Sequence, residues 1–159
     1  MSITKETKIQ LNYFVPTPVW EMFQKRVRDF RFQGVGYVVY YLMEAYRKSI
    51  SGEKISCLVY RILKNKSESW FTLFKYDQRS QSVIIVDREW ATTMTLVAEK
   101  YGYKDRSRLI AVLIGCFVSS SPATLRKLSV EMDKRPVYIP SGIEIISTYV
   151  SFTSTIFWR

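Results

Sequence analysis

The chain opens with an alternation of apolar and polar residues, followed by two apolar patterns of helical spacing. Between residues 8 and 15 every second residue is apolar, namely Ile9, Leu11, Tyr13 and Val15. This period of two predicts a strand with one buried face. Pro16 ends the strand because proline cannot donate to a sheet, and Thr17 is the predicted cap of a helix spanning about residues 17–31. A second helix follows the glycine-containing break and runs to Ile50.

A similar pattern returns between residues 82 and 118. Ser82–Val86 predicts a strand, and Asp87 is the expected cap of a helix that ends at Gly102. A further helix then carries apolar residues at helical spacing: Leu109, Ile110, Leu113 and Phe117. A lone strand leaves its backbone groups unpaired, so the first strand needs a partner. That partner comes either from this second copy or from another chain.

The segments outside the two copies have patterns of their own. In residues 54–80 the run ISCLVYRILK fits either a helix or a strand, whereas WFTLFKY predicts a strand. After residue 118, ATLRKLSVEMD predicts a short helix. The tail is rich in β-branched and aromatic residues and either packs on its own domain or adds a strand to a neighbouring molecule. For self-association we expect contributions from Ile143, Ile145, Tyr149, Phe152, Phe157 and Trp158.

Composition narrows the function classes. The 159 residues carry 24 Lys and Arg against 14 Asp and Glu, and this excess of +10 suggests a polyanionic partner. No run reaches the ~18 apolar residues of a membrane span, and the polar N-terminus does not resemble a signal peptide, so an intracellular protein without a membrane partner is expected. There is no histidine and no CxxC around Cys57 or Cys116, so we expect no metal, no cofactor and no enzymatic activity.

The order strand–helix–helix resembles the ribbon-helix-helix family of DNA-binding regulators. In that family two antiparallel strands form a ribbon that enters the DNA major groove. The run GYKDRSRLI resembles the G-Y-x-[ND]-R-S-x-x-I turn of its metal-responsive branch, with matches at Gly102, Tyr103, Asp105, Arg106, Ser107 and Ile110. Without histidines, nickel sensing is not implied. The expected fold is α+β, with tandem ribbon-helix-helix units at 1–53 and 81–118, a connecting segment at 54–80 and a β-rich C-terminal extension at 119–159.

The resemblance implies a sequence-specific regulator of transcription that binds double-stranded DNA. The expected base-reading residues are Lys8, Gln10 and Asn12, because side-chain amides pair bidentately with adenine. The outward residues of the second strand are Gln81, Val83 and Ile85, and the two apolar side chains indicate a structural partner or a weak reader. The expected backbone contacts involve the arm, the helix starts and their flanking arginines: Lys5, Arg31, Gly34, Val35, Gly36, Arg106, Ser107 and Arg108. Asp105 places a carboxylate where a phosphate is expected, and the neighbouring arginines offset it.

Two further expectations complete the sequence interpretation. Basic, aromatic-rich tandem regulators of this size resemble those encoded by viruses of hyperthermophilic archaea, which implies a thermostable protein in the host cytoplasm. We also expect a homodimer or a larger homo-oligomer. The alternative function is a protein-interaction module of the antitoxin type, in which the ribbon-helix-helix unit dimerises and a tail binds the partner.

Overall fold

The computed structural model describes residues 8–65, 79–103 and 105–134, which form a mixed α+β fold with two strands and six helices. In chain order the elements are β1 (Lys8–Pro16), α1 (Thr17–Asp29), α2 (Val35–Ile50), α3 (Cys57–Leu63), β2 (Arg79–Asp87), α4 (Arg88–Lys100), α5 (Arg106–Val118) and α6 (Pro122–Lys134). Lys5, the predicted WFTLFKY strand and the tail after Lys134 lie outside the described residues. The α+β class and a helix at ATLRKLSVEMD are therefore confirmed.

Some predicted boundaries and caps differ from the structure. The ISCLVYRILK run contains helix α3, capped by the Ser56 hydroxyl, which accepts a hydrogen bond from the Val59 amide at 3.2 Å. The predicted cap Thr17 was wrong: Thr17 is the first helical residue, and its hydroxyl hydrogen-bonds the Ser80 hydroxyl at 3.2 Å. Asp87 holds the N-cap position of α4, but its side chain makes no capping hydrogen bond. At Thr17 a tertiary hydrogen bond to Ser80 thus takes the place of the expected capping hydrogen bond.

The two strands pair with each other in an antiparallel ribbon within one chain. Lys8 lies opposite Asp87, Asn12 opposite Val83 and Pro16 opposite Arg79. The second copy is therefore the source of the partner strand for β1. One face of the ribbon is buried, including Leu11 and Tyr13 from β1, and Ile84 from β2.

The two β-α-α segments match in element length and spacing. The strands start at Lys8 and Arg79, the first helices at Thr17 and Arg88, and the second helices at Val35 and Arg106, so each pair is 71 positions apart. Asn12 pairs with Val83, which is its own equivalent under this offset. A two-fold axis through the Asn12–Val83 pair generates this register, so the ribbon has the symmetry of a dimer inside one chain.

The halves are interlocked rather than adjacent. Helix α5 of the second half packs against β1, α1 and α2 of the first half. Phe117 on α5 makes edge contacts with Phe23 and Phe32, with ring centroids 5.3 and 5.2 Å away. On the other side, Trp90 of α4 stacks on Tyr40 of α2 at 4.8 Å and donates to the Glu44 carboxylate at 3.1 Å. Neither half therefore has a complete core of its own.

Helix α3 contacts the second helix of each half. It packs against α2, α5 and α6. Asn65 ties the chain after α3 to the end of α5, since its amide donates to the Cys116 carbonyl at 3.2 Å and to the Ser120 hydroxyl at 2.9 Å. As a result α5 is buried on all sides from Leu109 to Val118, which explains its nearly uninterrupted apolar sequence.

We predict that Tyr13→Phe keeps or raises the stability of the protein at pH 7. The Tyr13 hydroxyl lies in the core without a well-formed hydrogen bond, and a buried unpaired hydroxyl costs about 1–3 kcal/mol. Burial also raises the pKa of this phenol above its ordinary 10.0, and Ser82 opposite lowers it by less. The folded protein therefore keeps a proton that the unfolded chain loses, so stability present below pH 10 falls as the pH rises further.

Denaturant unfolding at pH 7 and between pH 9 and 12 tests both parts. Tyr13→Phe should make the alkaline decline shallower by up to about 1.4 kcal/mol per pH unit. Other tyrosines continue to contribute, since burial and Glu131 raise the pKa of Tyr41 to about 12. Tyr60→Phe, at an exposed position of α3, is the matched control and should leave the stability at pH 7 unchanged. A loss above about 1 kcal/mol at pH 7 for Tyr13→Phe contradicts the unpaired hydroxyl.

Candidate nucleic-acid interface on the outer face of the ribbon

The outer face of the ribbon is formed by alternate residues of both strands. Gln10 and Asn12 are exposed, and the other outward positions are half-buried: Lys8, Phe14, Arg79, Gln81, Val83, Ile85 and Asp87. The alternation seen in the sequence therefore gives the correct facing of both strands. Of the residues predicted to read bases, all three lie on this face.

The two exposed amides of β1 contact each other. Gln10 Nε2 donates to Asn12 Oδ1 at 3.3 Å, between side chains two residues apart on the same face. This hydrogen bond orients both amides and leaves the Gln10 carbonyl oxygen and the Asn12 NH₂ group outside it. An amide with one acceptor and one donor available matches the N6 and N7 edge of adenine.

Each amide on the ribbon has an apolar neighbour on the opposite strand. Gln10 lies opposite Ile85, and Gln81 lies opposite Phe14. Alternation also predicts that Gln81 faces outward, but the apolar Val83 and Ile85 on the same strand do not suggest a reading role for it. The 71-residue offset aligns Gln81 with Gln10, and this repeat in the sequence is the signal that identifies it.

The turn between α1 and α2 brings a basic residue and an open helix start together. Arg31 is exposed and has a φ of 61°, the left-handed conformation that non-glycine residues rarely adopt. Gly34 is the N-cap of α2 and provides no side-chain cap, and its carbonyl accepts from Val38 N at 3.1 Å. The first amides of α2, beginning at Val35 and the buried Gly36, thus lack a side-chain acceptor. Such a helix start favours anions.

The nearest acidic group on α1 is already paired. Asp29 accepts a hydrogen bond from Lys25 at 2.8 Å and lies 3.8 Å from the Arg28 guanidinium. The hydrogen bond from Lys25 lowers the pKa of this exposed carboxyl, so it stays ionised and compensated near neutral pH. Because Lys25 and Arg28 already compensate the Asp29 charge, Asp29 alone does not neutralise the positive charge of Arg31 two residues later.

The equivalent turn between α4 and α5 has the same backbone but different side chains. Gly102 holds the left-handed position with a φ of 88°. Here the helix start is closed, because Asp105 Oδ1 accepts from the Arg108 amide at 2.9 Å. The predicted competition between this carboxylate and a phosphate thus has a geometric basis.

Two α5 residues that are predicted to contact the DNA backbone make hydrogen bonds within the protein. Arg106 Nη1 donates to Thr95 Oγ1 at 2.7 Å and approaches the Ala91 carbonyl at 3.4 Å, which ties α5 to α4. Ser107 Oγ accepts from the Phe14 amide at 3.0 Å, on the free edge of β1. The turn motif identifies these residues but not their partners, since Thr95 lies on α4 of the same half and Phe14 on β1 of the other half. Arg108 is half-buried.

We predict that Ser107→Ala destabilises the protein by about 1–3 kcal/mol, because the part-buried Phe14 amide loses its acceptor. Thermal and denaturant unfolding measure this loss. Thr93→Ala, at an exposed position of α4, also removes a hydroxyl from a helix and serves as the control. Its free energy of unfolding should change by no more than about 0.5 kcal/mol. Equal stability of Ser107→Ala and wild type contradicts a role for this hydrogen bond in holding β1.

Other chemistry has little support in the described part of the chain. Cys57 is an exposed free thiol and Cys116 a buried one, and residues 8–65, 79–103 and 105–134 contain no cluster of three metal-ligating side chains. Across these same ranges no single helix is long and apolar enough to cross a membrane, while α5 and α6 meet that criterion only as a pair bent by 112°. Comparisons with protein-family models, curated proteins and solved structures found no significant match.

Proposed function

We propose that this protein is a double-stranded DNA-binding regulator of transcription that inserts the β1–β2 ribbon into the major groove. In this proposal the two β-α-α segments are ribbon-helix-helix units in tandem, so one chain supplies both strands. The observation that carries it is the outer face of the ribbon, where the exposed amides of Gln10 and Asn12 stand on a two-stranded sheet backed by helices.

The dimensions of a two-stranded ribbon support this mode of binding. Paired strands lie about 4.8 Å apart, and the major groove of B-DNA is about 12 Å wide, so a ribbon with its side chains can enter it. The inner face packs on α1, α4 and α5, and the outer face, with its exposed Gln10 and Asn12, is the one that we propose meets the groove. Gln10 and Asn12 then present amides to adenine edges, and Lys8 presents a cation to guanine or phosphate.

Anchoring on the DNA backbone is proposed for the start of α2. The N-cap Gly34 has no side chain to cap this helix start, and exposed Arg31 precedes it in the same turn. A phosphate placed there receives hydrogen bonds from backbone amides and a favourable charge. The excess of 24 basic over 14 acidic residues supports association with such a polyanion.

One observation favours an alternative, a protein-interaction module of the antitoxin type. The outward positions Phe14, Val83 and Ile85 are apolar, and an apolar ribbon face is also suited to a protein partner. The two functions differ in their response to salt. DNA binding weakens steeply as salt rises, whereas an apolar protein contact persists.

We predict that Gln10→Ala and Asn12→Ala relax sequence preference while leaving the fold intact. Each lost amide contact should reduce discrimination at its base by about 1–3 kcal/mol, and both side chains are exposed. Selection of binding sites from a random duplex library, followed by competition binding, measures the preference.

Thr92→Ala, at an exposed position of α4 away from the ribbon, is the matched control and should select the same sites as wild type. Thermal unfolding of each variant confirms that the fold persists. If the Gln10 and Asn12 double variant selects the wild-type sites with the wild-type preference, the ribbon is not the reading surface.

We predict that Arg31→Gly weakens DNA binding without loss of stability. The left-handed backbone costs a non-glycine residue about 1–2 kcal/mol, and glycine removes this strain. The greater freedom of glycine in the unfolded state offsets about 0.5–1 kcal/mol of that gain in stability. Stability should therefore stay equal or rise by up to about 1 kcal/mol. If Arg31 contacts one phosphate, the slope of log affinity against log salt should become shallower by about 0.9.

The control is Lys127→Ala on α6, which removes one exposed positive charge elsewhere and should leave the salt slope nearly unchanged. Arg31→Asn gives a second variant, since asparagine tolerates the left-handed conformation and lacks the charge. Both Arg31 variants should show the same shallower slope. An unchanged slope in both assigns Arg31 to a solvated turn rather than to a phosphate.

A further inference from the structure

We infer that Gln81 is a second base-contacting residue, so that one chain reads a two-part target whose halves are related but unequal. This inference rests on the proposed function. It starts from the register, in which Asn12 lies opposite its own equivalent Val83. The same symmetry relates the Gln10–Ile85 pair to the Phe14–Gln81 pair, so each half of the ribbon offers one glutamine beside one apolar side chain.

The positions of the two glutamines set the spacing of the target. Gln10 and Phe14 are four residues apart on β1, and Gln81 lies opposite Phe14. At about 3.3 Å per residue this places the two glutamine rungs roughly 13 Å apart along the ribbon. With a rise of about 3.4 Å per base pair, two bases roughly four pairs apart are within reach of the two amides.

The centre of the ribbon makes the halves unequal. Asn12 accepts a hydrogen bond from Gln10 at 3.3 Å and so fixes the orientation of that amide. The equivalent residue beside Gln81 is Val83, whose side chain has no polar atom and cannot do the same. The β2 half therefore keeps its glutamine but lacks its orienting partner.

The two apolar neighbours add a second difference. Ile85 lies beside Gln10, and the larger Phe14 lies beside Gln81. Apolar side chains in the major groove contact the thymine methyl. The target class that fits this surface is an imperfect palindrome, with an adenine read by glutamine in each half and a central step read by Asn12 on one side and Val83 on the other.

Selection from a random duplex library, using the whole chain, tests this reading. Wild type should enrich a motif with two information-rich positions about four base pairs apart. Gln10→Ala should lose discrimination at one position and Gln81→Ala at the other, each by about five-fold or more. Val83→Asn gives Gln81 the partner that Gln10 has and should make the selected motif more symmetric. Thr92→Ala is the control and should return the wild-type motif.

The possible failures are separable. If Gln10→Ala loses its position and Gln81→Ala loses none, while unfolding shows both variants folded, the two-part reading is wrong and the proposed function stands. If Val83→Asn leaves the motif as asymmetric as in wild type, the orienting role of Asn12 is wrong. If wild type enriches no sequence at all, the proposed function itself fails.

Discussion

The antiparallel pairing of β1 with β2 is the interaction on which the rest of the structure depends. An isolated two-stranded ribbon is only marginally stable in water, so it needs a packed face. The helices provide that face, and they do so crosswise, since α5 packs against β1. Ser107 strengthens this arrangement because its hydroxyl accepts a hydrogen bond from the Phe14 amide at the free edge of the ribbon. Removing either half therefore removes both a strand and the core that supports the other strand.

Having both halves in one chain allows the two halves to diverge. In a homodimer every substitution appears twice, whereas here Asn12 faces Val83 across the central pair. The same freedom shows at the helix starts, where Gly34 leaves α2 open and Asp105 caps α5. The backbone repeat is preserved while the surfaces and helix ends have taken different forms.

The sequence predicts which residues face outward but not which groups they meet. A period of two gives the facing of Gln10 and Gln81 because strand geometry alone determines it. Register and the source of the partner strand depend on contacts between residues 63 to 79 positions apart, which no local pattern encodes. The turn motif likewise identifies Arg106 and Ser107, but their hydrogen bonds, to Thr95 on α4 and to Phe14 on β1, follow from tertiary packing. Thr17 shows the same limit, since its hydroxyl is held by Ser80 rather than by its own helix.

Arg31 and Gly102 hold equivalent places in the two turns, and their difference bears on function. Both backbones are left-handed, with φ values of 61° and 88°, and glycine adopts this conformation at no steric cost. The second half thus contains the residue that stability favours, while the first half keeps an arginine at a cost of about 1–2 kcal/mol. That arginine lies beside the open start of α2, whereas the glycine lies beside the start that Asp105 closes. An arginine at the left-handed position, a helix start without a side-chain cap and tolerated strain thus coincide in the first turn, whereas the second has glycine and the Asp105 cap. This difference is the one expected if the first turn binds an anion.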